Sequence, residues 1–260
     1  MTEAFFTEAD GWFVGNTPAR GPWDPTACHA GPVAGVIAGE LEALAEDRQL
    51  VRLTVEVPRP VPIAGFRVVA SVVRSSRSLT ATTATLLDAE DRVCATAAGL
   101  HLLPSDLGDV PTIVVDAPRL DEAVDGPFFL AGRLSDPPGF GSAVAIRYPP
   151  GETNDPGPTT AWMWAPEIVD GRASSPFQRI CPLADCGNAL SRNDDPPAIT
   201  FANADLTVHL VRPPVGEWFA SRAVGFWERN GVGLSDATLF DEVGYVGRAL
   251  QTIVLRRGPA

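Results

Sequence analysis

The sequence contains no lysine, and all 20 of its basic residues are arginine. They stand against 32 acidic residues, so the formal net charge at pH 7 is −12. Nucleic-acid binding needs clustered positive charge to neutralise phosphates, and this balance therefore argues against a nucleic-acid partner. Any phosphate-bearing ligand would have to be held by arginines or by backbone amides.

Histidine and cysteine are also scarce. None of these residues forms a CxxC pair or has the spacing of metal ligands, and the full set is His29, His101, His209, Cys28, Cys94, Cys181 and Cys186. We therefore expect no metal and no cofactor. The sequence has no Gly-X-Ser-X-Gly pattern, which argues against the serine nucleophile of the α/β-hydrolases.

Long apolar runs are absent as well. No stretch approaches the roughly 20 residues that a membrane helix needs, so we expect no contact with a membrane. The opening residues, Met1-Thr2-Glu3-Ala4, lack the basic and apolar regions of a secretory signal, and we expect a cytoplasmic protein with reduced thiols. The hydrophobic fraction of 45% over 260 residues is enough for the cores of two domains.

One segment of the chain occurs twice, 153 positions apart. Residues 51–99 align with residues 204–252 without a gap. The matches are Leu-Thr-Val at 53–55 and 206–208, Arg-Pro at 59–60 and 212–213, Ala-Thr-Leu at 84–86 and 237–239, Asp88 with Asp241, and Val93 with Val246. A period this long suits a whole domain rather than a solenoid unit, and it predicts two copies packed as a pseudo-dimer. The repeated arginines, Arg59 and Arg212, are then expected to fix strand ends rather than to bind phosphate.

Each copy is expected to hold one helix and an antiparallel sheet. The spacing of apolar residues predicts one helix from Cys28 to about Ala45 and another from about Ser175 to Ser191. Alternating, β-branched segments predict strands near 12–14, at 51–57, 66–74, 79–88 and 92–103, and again near 141–148, 159–168, 204–211, 217–227, 233–241 and 245–256.

These elements divide the chain into three parts. Residues 1–103 form a first unit, residues 104–139 a linker rich in proline, aspartate and glycine, and residues 140–260 a second unit that holds the candidate site. One helix packed on an antiparallel sheet, twice over, is an α+β arrangement.

Four segments together resemble a known family. They are Gly21-Pro22-Trp23 followed by His29-Ala30-Gly31-Pro32, Leu53-Thr54-Val55 leading to Arg59-Pro60, the stretch FANADLTVHLVRPPVGEW at 201–218, and the tail VGRALQTIVLRR at 246–257. In this order, and with the repeat, the chain resembles the double-hotdog acyl-CoA thioesterases, the TesB-like members of the thioesterase-like superfamily.

The resemblance implies a tandem double hotdog, in which each repeat wraps an antiparallel sheet around a central helix. It also implies an enzyme that hydrolyses small-molecule acyl-CoA thioesters by an activated water, with no metal and no covalent intermediate. Hotdog units commonly assemble further, so a homo-oligomer of the tandem chain stays open.

The resembling enzymes orient their water with an Asp on the second unit's helix, a Thr or similar polar residue on the next strand, and a Gln on the last strand. By position these are Asp185, Asn203 and Gln251. Asn203 departs from the Thr pattern, since an amide can donate a hydrogen bond but cannot act as a hydroxyl.

The residues also support this assignment on their own, beside plainer interpretations. Asp185 lies in an apolar run, where a buried carboxylate needs partners and could accept a proton from water, but it could also cap a helix or face solvent. Gln251 could equally be an outward strand residue. His29 and Gly31, at the start of the first helix, are candidates for substrate binding because helix-start amides hold anions, although His29 could simply cap the helix.

The repeat suggests a single site. In the register of 153, Asp185, Asn203 and Gln251 match Pro32, Leu50 and Ala98, so all three polar residues fall in the second unit.

Two alternatives to the thioesterase stay open. One is an enoyl-CoA hydratase of the same fold, for which Asp24 and His29 form the one Asp/His constellation in the sequence. The other is a catalytically silent module that binds acyl-CoA or an acyl chain, which the Asn203 departure favours.

Overall fold

The structure is a computed structural model that describes residues 3–132 and 138–258. Its helices are α1 (Ala30–Glu42), α2 (Phe140–Ala143), α3 (Pro176–Ala184) and α4 (Gly187–Leu190). Its strands are β1 (Phe6–Ala9), β2 (Trp12–Gly15), β3 (Gln49–Glu56), β4 (Arg67–Ser75), β5 (Leu79–Leu87), β6 (Val93–Leu102), β7 (Val124–Gly126), β8 (Ala145–Tyr148), β9 (Thr159–Trp164), β10 (Ile199–Asn203), β11 (Asp205–Leu210), β12 (Trp218–Trp227), β13 (Val232–Asp241) and β14 (Gly244–Arg257).

One long antiparallel sheet organises the molecule. Its strand order is β4-β5-β6-β3-β11-β14-β13-β12-β9-β8-β7, with β10 also paired to β14, while β1 and β2 form a separate hairpin. The two units meet where β3 pairs with β11, and α1 contacts both α3 and the strands of the first unit. This is the expected α+β tandem hotdog.

The repeat has a direct structural counterpart at the centre of the sheet. Thr54 on β3 lies opposite Thr207 on β11, and their hydroxyl oxygens are 3.2 Å apart. On either side of this pair the equivalent residues face each other symmetrically, Leu53 opposite Val208 and Val55 opposite Leu206. A pseudo-twofold axis therefore passes between the two threonines, as a pseudo-dimer requires.

The gapless alignment of the two copies is wrong after the β5–β6 hairpin of the first unit and the β13–β14 hairpin of the second. Leu87 pairs with Val93 in the first unit, so five residues separate the partners, whereas Phe240 pairs with Tyr245 in the second unit and four residues separate them. The first hairpin is one residue longer, and Val93 corresponds to Tyr245 rather than to Val246.

The corrected register changes the partner of Gln251. It corresponds to Gly99, not to Ala98, and burial agrees, because Gln251 and Gly99 are buried while Ala98 is exposed. The helices of the two units correspond in yet another register. Counted from the residues that cap them, His29 and Ser175, the counterpart of Asp185 is Gly39 rather than Pro32.

Glycines at every fourth position of α1 let it approach α3 closely. A β-carbon added at Gly31 would lie 2.9 Å from Pro182 Cα, and one at Gly39 would lie 2.4 Å from the side-chain nitrogen of Gln178. Gln178 donates a hydrogen bond of 3.0 Å to the carbonyl of Gly35, the middle glycine of the series. Along this row of glycines, the backbone of α1 therefore packs directly against α3.

Several predicted elements differ in detail. The single helix expected over 175–191 is broken into α3 and α4. In the segment 141–148, expected to be one strand, the short helix α2 comes first and the strand β8 follows. The sequence did not predict β10 or β7, and β7 lies within the expected linker, where it pairs with β8. Residues 133–137 of that linker lie outside the described residues. No helix in the described ranges is long and apolar enough to span a bilayer.

An ion pair with a buried carboxylate fixes the β13–β14 turn of the second unit. Asp241, which is 1% exposed, accepts hydrogen bonds from Arg212 at 2.5 and 2.8 Å and from the amides of Val215, Val243 and Gly244. Burial acts to raise the pKa of Asp241, but these donors outweigh it and the pKa is lowered. The stabilisation is therefore present above the ordinary aspartate pKa and is lost as the pH falls through the lowered one.

We predict that Asp241→Ala lowers the free energy of unfolding by roughly 3 kcal/mol at neutral pH, because it removes the buried acceptor shared by the Arg212 guanidinium and three backbone amides. The matched control is Asp236→Ala, also on β13, which removes a more exposed pair with Arg248 of β14 and should cost less than about 1 kcal/mol. Urea denaturation measures both. Equal losses in the two variants, or a difference that does not shrink in acid, would contradict the assignment.

Candidate active site

Asp185 lies at the break between the two short helices of the second unit. It follows the last residue of α3, its amide donates to the carbonyl of Cys181 at 3.2 Å, and Cys186 links it to α4. Pro182 within α3 has no amide hydrogen to continue the helical ladder. The break places the Asp185 carboxylate between the start of α1 and the strands β10 and β14, where its side chain is only 4% exposed.

A closed ring of hydrogen bonds surrounds this carboxylate. Asp185 Oδ1 accepts from Asn203 Nδ2 at 2.5 Å and from Gln251 Nε2 at 3.1 Å. Asn203 Oδ1 accepts from Asn188 Nδ2 at 2.7 Å, and the backbone amide of Asn188 donates to Gln251 Oε1 at 3.0 Å. Since a carboxylate only accepts, each neighbouring amide must present its nitrogen to Asp185, and the ring fixes that orientation.

Asn188 is a member of the ring that the sequence analysis missed. It lies three residues after Asp185, a spacing that places two helical side chains on the same face. An asparagine in the apolar segment Gly187-Asn188-Ala189-Leu190 was the available signal.

Gln251 lies behind Asp185 rather than at the pocket. Its Nε2 donates both to Asp185 Oδ1 and to the backbone carbonyl of Asp185, at 2.9 Å, while its Oε1 accepts from Asn188. It is 1% exposed and is not among the residues that line the adjoining pocket. Its contacts fix the position of the carboxylate.

The first unit contributes His29 to the same site. His29 Nδ1 is 3.1 Å from Asp185 Oδ2 and 3.2 Å from the amide nitrogen of Gly31, and its ring stacks on Phe140 with centroids 3.8 Å apart. The nitrogen can donate to the carboxylate in one protonation state or accept from the Gly31 amide in another. His29 is thus both the N-cap of α1 and the neighbour of Asp185.

Gly31 contributes through packing. Its amide points to His29, and a β-carbon at this position would lie 3.0 Å from Asp185 Cβ. It does not line the pocket, whereas the adjacent Ala30 does. Glycine at 31 therefore allows His29 and Asp185 to come together.

A pocket of about 650 Å³ opens onto this group, within the usual range for ligand sites. Its walls come from both units and include Asp185, Asn203, Asn188 and His29, together with Trp23, Asp24, Arg59, Phe128, Leu130, Phe201, Val254 and Arg256. The site thus combines one buried carboxylate, a histidine and several amides with largely apolar walls.

Other nucleophiles and the expected Asp24–His29 pair do not form part of this arrangement. Asp24 accepts from the hydroxyl and amide of Thr26 within its own turn, and the carboxylate that contacts His29 is Asp185. Burial, with a contribution from the Asp185 charge, raises the pKa of the Cys186 thiol well above its ordinary value. Within residues 3–132 and 138–258 no group of three or more His, Cys, Asp or Glu side chains could hold a metal ion.

Comparison with solved structures places the fold. The chain is similar to a protein of unknown function with a hot dog fold from Alicyclobacillus acidocaldarius, with a TM-score of 0.70, 18% identity and coverage of 98% of this chain and 96% of that one. It is also similar to the acyl-CoA thioesterase II from Mycobacterium marinum, with a TM-score of 0.64, 13% identity and coverage of 98% and 94%. At these identities the likeness establishes the fold.

Comparison with protein families identifies the sequence. No curated protein matches the chain. Residues 19–102 match the family model of the acyl-CoA thioesterase N-terminal domain, and residues 115–255 match that of the acyl-CoA thioesterase C-terminal domain. Since these two models cover most of both units in the expected order, the chain belongs to the acyl-CoA thioesterase family.

Proposed function

We propose that this protein hydrolyses acyl-CoA thioesters to a free acid and CoA, with Asp185 as the base that activates water. The supporting observation is the state of Asp185, a nearly buried carboxylate that faces a pocket and is held by two amide groups and a histidine, with no arginine of the described ranges paired to it. Membership of the acyl-CoA thioesterase family supports the substrate class.

In this proposal the first step is attack by water. Asp185 Oδ1 accepts from both Asn203 and Gln251, whereas Oδ2 contacts His29 Nδ1 and keeps a lone pair, so Oδ2 is the oxygen that takes the water proton as the water oxygen bonds to the thioester carbonyl carbon. The carbonyl oxygen becomes an oxyanion. Its donors would be His29 Nε2–H and the amide of Ala30, which lines the pocket in the first turn of α1 and has no partner within the helix.

The second step expels the thiol. The tetrahedral intermediate collapses, the carbon–sulfur bond breaks, and the CoA sulfur takes the proton from Asp185. The carboxylate returns to its starting state, and one water and one thioester have become one acid and one thiol. The roles differ within the group: Asp185 and His29 touch the reacting atoms, while Gln251 and Asn188 position Asp185 and Asn203.

We predict that Asp185→Asn lowers kcat by about 10²–10⁴-fold while the protein stays folded, since the amide cannot accept the water proton. The measurement is release of free thiol from acyl-CoAs of short to long chain, and the same change at the exposed Asp125 serves as control. A folded Asp185→Asn variant with full activity would rule out this base.

The asparagine at 203 allows a second prediction. A threonine hydroxyl could donate to Asp185 and accept from Asn188, as the Asn203 amide does, so Asn203→Thr should keep kcat within about tenfold. Asn203→Ala breaks the ring on both sides and should lower kcat further, by about 10²-fold. Thiol release from one acyl-CoA compares them. Full activity in Asn203→Ala would mean that this residue does not help to hold the carboxylate.

The contact between His29 and Asp185 supports a second candidate, an enoyl-CoA hydratase. An Asp/His pair 3.1 Å apart could deliver a hydroxyl to the β-carbon and a proton to the α-carbon of an enoyl thioester.

Product analysis separates the candidates. With a 2-enoyl-CoA substrate we expect free CoA and the unsaturated acid, because Asp185 is held where a thioester carbonyl would face His29 and Ala30. Mass spectrometry distinguishes these products from a 3-hydroxyacyl-CoA, which would identify a hydratase. Tight binding of the substrate with neither product would identify a silent binding module.

A further inference from the structure

The two copies of the repeat use their shared arginine differently. In the second unit Arg212 binds the buried Asp241, which confirms its expected role at a strand end. In the first unit the matching carboxylate, Asp88, is bound by Arg92 at 2.7 Å instead. Arg92 belongs to the hairpin that is one residue longer than its counterpart. The expectation that Arg59 fixes a strand end is therefore wrong, since the carboxylate it would bind is already occupied.

Arg59 instead lines the candidate pocket. It is exposed, and it makes no ion pair or side-chain hydrogen bond with any other residue of the described ranges. Pro58 and Pro60 flank it, and their rings restrict the backbone on both sides. The arginine is thus presented from a stiff segment rather than from a mobile loop.

A second arginine, also without a side-chain partner among the described residues, lies on the other side of β10. Arg256 on β14 pairs across the sheet with Thr200, is exposed, and lines the same pocket. Val57 donates its amide to the carbonyl of Ala204, so the segment that leads to Arg59 passes the opposite side of β10. The two cations therefore flank one strand of the pocket wall.

Beside β10, between Arg59 and Arg256, the pocket extends from the inner face of the sheet to its outer face. Inside are Asp185 and Asn203, whereas Val254 and Arg256 alternate with the inward-facing Ile253 and so belong to the outer face. Along β10, Thr200 is three residues from Asn203, a distance of roughly 10 Å at the rise of a β-strand. A ligand with its reacting group at Asp185 would thus extend outward between Arg59 and Arg256.

We infer that Arg59 and Arg256 bind the phosphate groups at the nucleotide end of the CoA thioester. The inference rests on the proposed function for the identity of the ligand. Guanidinium groups match phosphate oxygens in geometry and charge. On a protein with a net charge of −12, two arginines at one pocket that pair with no carboxylate in the described part of the chain form a local anion site. The carboxylate of Asp24 in the same wall is bonded to Thr26.

The test compares ligands with and without phosphates. Titration calorimetry measures the affinity of CoA and of pantetheine, which lacks the nucleotide, for the wild type and for Arg59→Gln, Arg256→Gln and Arg257→Gln. Arg257 is the matched control, because it is exposed next to Arg256 but does not line the pocket. We expect about tenfold weaker CoA binding in the first two variants, a change of less than twofold in the control, and unchanged pantetheine binding in all three.

Hydrolysis gives an independent readout. The kcat/KM for acyl-CoA should fall about tenfold in Arg59→Gln and Arg256→Gln, while that for an acyl thioester of N-acetylcysteamine should not change. CoA affinities equal to that of Arg257→Gln, or a wild type that binds CoA no more tightly than pantetheine, would overturn the inference. If no variant hydrolyses either thioester but CoA binding still weakens in both arginine variants, the phosphate site stands and the proposed reaction fails.

Discussion

The close contact between α1 and α3 is the constraint on which the site depends. Asp185 belongs to the second unit and His29 to the first, so a shift of one helix along the other would separate the carboxylate from the ring. Glycines at 31, 35 and 39 permit the contact, and at the far end of α1 the Ser175 hydroxyl donates to Glu42 at 2.6 Å. Because the central pair β3–β11 joins the sheets beneath the helices, both layers hold the two units in one register.

Each of the two copies contributes residues to the pocket that the other copy does not. The second unit holds the carboxylate and its amides, while the first supplies His29, Ala30 and Arg59 to the same pocket. In the first unit the place of Gln251 is filled, since a β-carbon at Gly99 would lie 2.4 Å from Thr82 Oγ1 and 3.0 Å from Leu41 Cδ1. The candidate site is thus composite, and the two units contribute different residues to it.

The sequence predicted the fold and the polar centre because both leave local traces. Alternation gave the strands, the repeat gave the pseudo-dimer, and Asp185 stood out as a carboxylate in an apolar run. Contacts made between distant segments left no such trace: the pairing of His29 with Asp185 spans the two units. One extra residue in the β5–β6 hairpin also made the gapless register wrong. The role expected for Arg59, which depended on that register, was wrong for the same reason. The sequence marked the break in the second helix only by Pro182, which lies within α3.

Comparison with the first unit also indicates why the second unit has the hydrogen-bonded ring around Asp185. Burying a carboxylate and three amides is costly, and well-packed apolar side chains of similar volume often stabilise a core as much or more. The first unit fills its corresponding place with Leu41 and with Thr82 bonded to His101 at 2.9 Å, and it builds the same sheet around the same kind of helix. The fold therefore does not require the Asp185 ring. A polar group that the architecture can do without, yet that is hydrogen-bonded at nearly every position and opens onto a pocket, is best explained by the chemistry proposed for it.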